Sequence, residues 1–392
     1  MTSCDVAVIG GGINGVGVAQ AAAAAGHGVK LFERKELASG TSSRSSKLIH
    51  GGLRYLESVQ FSMVRESLHE RHLLLKLAPD LVHLQRFFIP VYPTTRRRPW
   101  QLYAGLSLYA LLAGLHGETR FKRVPKKDWD SLDGLSTHGL QAVFRYFDAQ
   151  TDDAALTRAV MHSARQLGAE LVAPAEVFHI ERFERGCTLH YQHAGTAHSV
   201  DARVVVNAAG PWVCQVASRF DPVIELPALE LVQGSHILLP GQIKQGVYYV
   251  ENPRDGRVIF VMPRPEGILV GTTERRFRAD PDHSQASTAE KHYLFSVLRH
   301  YFPRFRALNH DDIIATTAGL RVLPVGPGHA FHRSREVMLP TDQPHRPSVL
   351  SICGGKITTY RVTANKVMRR IAPSLPPKTP RADTARLALT PA

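Results

Sequence analysis

The sequence predicts an α/β chain, α+β overall, in which a parallel βαβ domain is joined to a second domain built on a mostly antiparallel sheet. Three observations predict it. Val6-Ala7-Val8-Ile9 is a short apolar run that stops at Gly10, Gly11 and Gly12, as a buried parallel strand does before a helix. Between Gly246 and Thr273 the pattern changes to short β-rich segments separated by turn-forming residues. Val204-Val205-Val206-Asn207-Ala208-Ala209-Gly210 is again an apolar strand ending in small residues, so the first domain is expected to be discontinuous.

In chain order, Asn14 to Ala25 is small and apolar and is expected to form the helix that follows the first strand, and Val29-Lys30-Leu31-Phe32-Glu33 the next strand. Ser62 to Leu77 carries leucines at helical spacing, which predicts a surface helix with its Glu and Arg outward. Val247 to Val250, Val258 to Val261 and Ile268 to Val270 are strands of an antiparallel meander, divided by Asn252-Pro253-Arg254-Asp255-Gly256 and Pro263-Arg264-Pro265-Glu266-Gly267. The segment 373–392 holds Pro373, Pro376, Pro377, Pro380 and Pro391 and is expected to be irregular or mobile.

Gly10-Gly11-Gly12-Ile13-Asn14-Gly15 fits G-x-G-x-x-G with a strand before it and a helix after it. Gly10 permits the tight turn, Gly12 lets the backbone approach a pyrophosphate, and Gly15 allows close packing of helix on sheet. The free N–H groups of the helix N-terminus favour the phosphates. Glu33, at the end of the second strand, can accept hydrogen bonds from a ribose. This completes a Rossmann-like fingerprint, and the acidic residue favours an unphosphorylated ribose, hence NAD or FAD over NADP.

The 392 residues carry 48 Lys+Arg against 34 Asp+Glu, a net charge of +14, so an anionic partner is expected. The basic residues are scattered apart from Arg96-Arg97-Arg98 and accompany no nucleic-acid-binding motif, which leaves a phosphorylated small molecule or an anionic membrane surface. Cys4, Cys187, Cys214 and Cys353 are far apart and suggest neither disulfides nor a metal site. Met1 to Val8 runs straight into a strand, so a secretory leader is not expected and the cytoplasm is the expected compartment.

The run Ser42-Ser43-Arg44-Ser45-Ser46-Lys47-Leu48-Ile49-His50-Gly51-Gly52-Leu53-Arg54-Tyr55-Leu56-Glu57 resembles the signature of FAD-dependent glycerol-3-phosphate dehydrogenases, D-amino-acid-oxidase-like flavoproteins. Further similar blocks follow at Asn207 to Trp212, Gly234-Ser235-His236, Gly271-Thr272-Thr273, Gly319-Leu320-Arg321 and Gly354-Gly355-Lys356-Ile357-Thr358-Thr359-Tyr360-Arg361. Two departures stand out. Respiratory members continue with a further helical domain, so the resemblance is to a short form, and Glu274 stands where the family commonly has Asp. The resemblance implies an FAD-binding domain over 1–85, 145–220 and 318–372 and a substrate domain over 86–144 and 221–317. It implies FAD contacts from Gly10, Gly12, Ile13, Asn14, Gly15, Glu33, Arg34, Thr41, Ser42, Ser45, Ser46, Lys47, Leu48, Val177, Ala208, Gly210, Trp212, Gly355, Lys356 and Thr358, and no metal.

The implied reaction is oxidation of sn-glycerol 3-phosphate to dihydroxyacetone phosphate. Its phosphate carries about two negative charges, and Arg54, Lys356, Arg321 and Arg333 are the candidate cations, with Tyr55 adding a phenolic hydrogen bond. The departing hydroxyl proton needs a base, for which His50 and His236 are both candidates, while Arg321 or Lys356 can stabilise the developing alkoxide. The resemblance implies quinone as electron acceptor, with O₂ as the alternative of soluble oxidases, and admits a homodimer. Arg96 to Leu115 joins a basic run to Trp100, Tyr103 and an apolar stretch too short to span a bilayer, which suits peripheral attachment to the inner face of the cell membrane and equally a buried helix. A sister flavoprotein oxidising another hydroxy acid or amine would not need the block Lys47 to Glu57 together with Gly355-Lys356, and an inactive flavin-binding scaffold would not need His50, Arg321 and Lys356.

Overall fold

The computed structural model describes residues 2–114, 120–326 and 336–391, so Arg333 lies outside the described residues. The strands are β1 (Thr2–Ile9), β2 (Val29–Phe32), β3 (Leu48–Ile49), β4 (Val82–Val91), β5 (Lys122–Arg123), β6 (Ala142–Thr151), β7 (Glu170–Val172), β8 (Ala175–Phe183), β9 (Gly186–His193), β10 (Thr196–Asn207), β11 (Phe220–Asp221), β12 (Leu229–Leu239), β13 (Val247–Glu251), β14 (Val258–Arg264), β15 (Gly267–Gly271), β16 (Arg275–Phe277), β17 (Ala315–Pro324) and β18 (Val349–Ser351). The α-helices are α1 (Ile13–Ala24), α2 (Phe61–Leu77), α3 (Pro99–Leu112), α4 (Asp153–Gln166), α5 (Val213–Ala217), α6 (Thr288–Tyr301) and α7 (Tyr360–Ile371).

One sheet runs β11-β8-β9-β10-β1-β2-β7, with β18 also on β10. Its β10-β1-β2-β7 part is parallel, as the apolar runs predict. Alternation divides the side chains between two cores. Val6, Val8, Val204 and Val206 pack on the helical side with residues of α1, α4 and α7, whereas Ala7, Ile9 and Val205 pack with Val177, Leu189 and Tyr191. Helix α1 is buried almost all round because its small side chains let α4 and α7 close in.

The second sheet runs β16-β12-β15-β14-β13-β4-β6-β3, with β17 on β12 and β5 on β6. Among its pairings, β13 with β4 is parallel and the remainder are antiparallel, so the expected meander is present as β13-β14-β15. Tyr248 and Val250 point into a core with Leu294, Phe295 and Leu298 of α6, while Val247 and Tyr249 point toward Val64 and Leu68 of α2 and Leu102 and Leu106 of α3.

Helix α2 corrects one expectation. Its leucines do face the core, but Glu70 and Arg71 do so too: Glu70 accepts from Nε of Arg361 at 2.9 Å, and Arg71 pairs with Asp148 at 2.5 Å. A lone buried charge is costly, so each is matched by a partner from a distant part of the chain. The Pro-rich segment after α7 has little regular structure and is docked on the fold: the Leu389 amide donates to Leu77 O at 2.7 Å and Leu389 is buried.

Candidate active site

A single long cleft gathers most of the residues singled out from the sequence. At one end the chain turns from β1 into α1. Gly10 has φ +111°, and a Cβ there would lie 2.7 Å from Ala208 O. A Cβ on Gly15 would lie 1.9 Å from Gly10 O, so Gly15 lets the helix sit against the turn without itself lining the cleft. A Cβ on Gly12 would meet only the Ser42 hydroxyl, at 3.1 Å, and would project into the cradle at the helix N-terminus.

Side chains fix the surrounding loops. Glu33 accepts from the Gly11 amide at 2.7 Å and from the Lys35 amide at 2.8 Å. Ser42 Oγ accepts from the Ile13 amide at 2.9 Å, and Thr41 Oγ1 donates to Leu320 O at 2.8 Å. Arg34 bridges to Asp282 at 2.7 and 2.9 Å and stacks 4.4 Å from the centre of the Trp212 ring. Leu48, Val177, Ala208, Gly210, Gly355 and Thr358 complete this part of the wall.

At the other end stand His50, Tyr55, His236, Arg321 and Lys356. His236 comes from β12, buried, with Nε2 2.9 Å from Ser46 Oγ. Burial first, then the nearby Arg321 and Lys47, pull its pKa down to about 3, so the ring is neutral. Arg321, on β17, donates to Thr272 Oγ1 at 3.3 Å and lies 3.7 Å from Glu274. Lys356 Nζ lies 4.0 Å from the centre of the Tyr55 ring and 3.0 Å from Met63 Sδ, and the His50 amide donates to Thr358 Oγ1 at 3.3 Å.

Two predicted residues are turned elsewhere. Lys47 pairs with the buried Asp153 and donates to Ser43 O at 2.7 Å, so it braces the Ser42 to Ser46 loop from behind. Its backbone is in the left-handed region at φ 59°, and Asp153 also accepts from Ser45 N and Oγ at 3.0 and 2.6 Å. Arg54 stacks on Tyr55 at 5.3 Å and lines a neighbouring cavity with Arg96, Arg97 and Tyr249. Conversely, Lys35, Arg44, Glu176, Arg219 and Asp282 line the cleft without having been singled out. Arg44 lies inside the Ser42 to Glu57 block, and Lys35 and Glu176 adjoin Arg34 and Val177, so these three could have been found there; Arg219 and Asp282 belong to no motif.

A model of the family described as FAD dependent oxidoreductase matches residues 5–361. The chain belongs to that family. It is 37% identical to a glycerol-3-phosphate dehydrogenase of Pseudomonas tolaasii over 94% of this chain and 71% of the relative. It is 35% identical to a D-erythritol 1-phosphate dehydrogenase of Brucella abortus over 94% of this chain and 74% of the relative. Among solved structures, a glycerol-3-phosphate dehydrogenase from Bacillus halodurans complexed with FAD superposes with a TM-score of 0.74 at 26% identity, covering 99% of this chain and 68% of that one. A glycine oxidase from Geobacillus kaustophilus, at 20% identity and TM-score 0.73, shares the fold.

The family's cofactor is FAD, and the residues present fit it. The Gly12 cradle would be filled by any side chain, and the adjoining walls carry buried polar atoms that no described residue satisfies: Asn14 Oδ1, Trp212 Nε1 and His236 Nδ1. Buried polar atoms are ordinarily paired, so unmatched groups along one cleft suit a polar ligand.

Proposed function

We propose that the chain oxidises sn-glycerol 3-phosphate to dihydroxyacetone phosphate. The observation that carries this reading is a cleft whose glycine cradle leads to Lys356, Arg321 and two histidines, in a chain 37% identical to a glycerol-3-phosphate dehydrogenase. FAD supplies the hydride acceptor for the carbinol carbon.

Gly10, Gly12 and the α1 N-terminus would hold its pyrophosphate, and Glu33 its ribose. Lys356, steadied over Tyr55, offers its ammonium to the substrate phosphate, while Arg321 stabilises charge developing on the substrate oxygen. His50 accepts the hydroxyl proton. A histidine with pKa about 3 is a poor proton acceptor near neutrality, so His236 serves as a neutral hydrogen-bonding partner held by Ser46. That divides the two histidines between the roles of base and orienter.

The test is anaerobic mixing of the purified flavoprotein with glycerol 3-phosphate, erythritol 1-phosphate and amino acids in parallel. Rapid bleaching of the flavin by glycerol 3-phosphate is expected. Preferential bleaching by the tetritol phosphate would move the assignment to that substrate, and bleaching by an amino acid alone would remove the phosphate-binding reading.

A second reading concerns where the electrons leave, and we infer quinone at an anionic membrane surface. Among the described residues no helix is long and apolar enough to cross a membrane. Helix α3 supports attachment from one side: Leu102, Leu106 and Tyr109 are buried, while Trp100, Tyr103 and Leu111 are 71%, 60% and 59% exposed beside exposed Arg96 and Arg98. Co-sedimentation with anionic vesicles at low salt, lost in Trp100→Ala, is the expected result; failure to sediment with them would count against this attachment.

A further inference from the structure

We propose that Tyr109, acting with Asp148 and Arg71, is a positioning residue for His50. The proposal rests on the assignment of His50 as proton acceptor made above. None of the three side chains lines the cleft or the neighbouring cavity, and all three are buried. They come from three elements, α2, α3 and β6, and converge on the backbone amide that follows His50.

The geometry is closed around that amide. The Gly51 N–H donates to the Tyr109 hydroxyl at 2.9 Å and also faces Asp148 Oδ1 at 3.4 Å. The Tyr109 hydroxyl in turn donates to Asp148 Oδ2 at 2.9 Å. Arg71 donates to Asp148 Oδ1, the oxygen that faces the Gly51 amide, at 2.5 Å and to Phe147 O at 2.9 Å. Burial pushes the Tyr109 phenol well above its ordinary range, so its proton stays in place as the donor to Asp148.

Two further facts connect this cluster to His50 itself. The His50 amide donates to Thr358 Oγ1 at 3.3 Å, so the peptide groups on both sides of the His50 α-carbon are held and the backbone there has little freedom. Position 51 admits nothing larger than glycine, because a Cβ would lie 2.5 Å from both the Tyr109 hydroxyl and Leu68 Cδ2. The missing side chain is what lets the phenol reach the amide. A buried charge pair is rarely the most stabilising use of a core position, and here it orients one hydroxyl toward one N–H beside a candidate base. A displacement of about 1 Å at a reacting group can cost about a hundredfold in rate.

The experiment compares wild-type and Tyr109→Phe holoenzyme by anaerobic stopped-flow reduction with glycerol 3-phosphate. The variant should lose about tenfold or more in the saturating rate of flavin reduction. Its half-saturating substrate concentration, flavin content and rate of reoxidation by an artificial acceptor should stay at wild-type values. The isotope effect with substrate deuterated at the carbinol carbon should not fall. Arg71→Lys should retain more of the reduction rate than Arg71→Met.

An unchanged reduction rate in Tyr109→Phe overturns the proposal. So does a rate that falls only in step with flavin content and melting temperature, since the cluster is then merely structural. If wild-type flavin is not bleached at all, the substrate assignment falls and the role of Tyr109 with it; bleaching by wild type that Tyr109→Phe leaves unaltered removes the positioning role alone.

Discussion

The Ser46 hydroxyl stands 2.9 Å from Nε2 of His236, tying the loop beyond the glycine cradle to strand β12 of the second sheet. The buried imidazole thus has one polar partner among the described residues at Nε2 and none at Nδ1. This arrangement suits a neutral ring.

A pH dependence of stability follows from it. The folded-state pKa of His236, about 3, lies below the ordinary value of 6.5, so on acidification the unfolded chain takes up a proton that the folded one refuses. The stability linked to this group is complete above pH 6.5 and is lost as pH falls toward 3, with a slope of at most about 1.4 kcal/mol per pH unit. Urea unfolding of wild type and His236→Asn at neutral and mildly acidic pH checks this. The gap between them should narrow on acidification, and parallel curves would contradict it.

Replacing His50 by Asn should remove the proton acceptor and leave the phosphate contacts. The expected outcome is a fall in kcat of about 10²- to 10⁴-fold with KM little changed. Steady-state kinetics on flavin-loaded variant measures it. A fall confined to KM would mean that His50 only binds.

Lys356→Ala removes the cation beside Tyr55. A charge-assisted hydrogen bond is worth about 1.5–3 kcal/mol, so kcat/KM should fall by roughly ten- to a hundredfold, mainly through KM. The loss should shrink for the unphosphorylated polyol. Equal losses for both substrates would detach Lys356 from the phosphate.

Gly12→Val places a branched side chain in the cradle at the N-terminus of α1, where the present contact is Ser42 Oγ at 3.1 Å. The purified variant should be folded by circular dichroism and colourless. A yellow variant with full flavin content would remove the cradle from the cofactor site.

The parts of the fold legible in the sequence are those governed by local pattern. Val6 to Ile9 with its glycines, the valines of β10 and the β13 to β15 turns report burial and chain reversal through neighbours a few residues away. Glu70 and Arg71 were not legible, because charges on a leucine-spaced helix ordinarily face water. What buries them are Arg361 and Asp148, 291 and 77 residues away along the chain. Within the site, His50, His236, Arg321 and Lys356 were picked out by their motifs and share the cleft. Lys47 and Arg54 belong to the same block, but a motif gives no side-chain direction: Asp153 draws Lys47 behind the loop, and Arg54 stacks on Tyr55 and lines the neighbouring cavity.

Strand β10 has a consequence for how the polypeptide reaches its native state. Its residues pair with Thr2 to Ile9 on one side and with Val349 to Ser351 on the other, so the central sheet waits on segments separated by most of the chain. Long-range parallel pairing of this kind closes slowly, since loop entropy is lost before the contacts that offset it are made. During synthesis the valine-rich edge of β10 stays open until the β18 segment emerges, and an unpaired apolar edge is open to misassociation and to capture by chaperones.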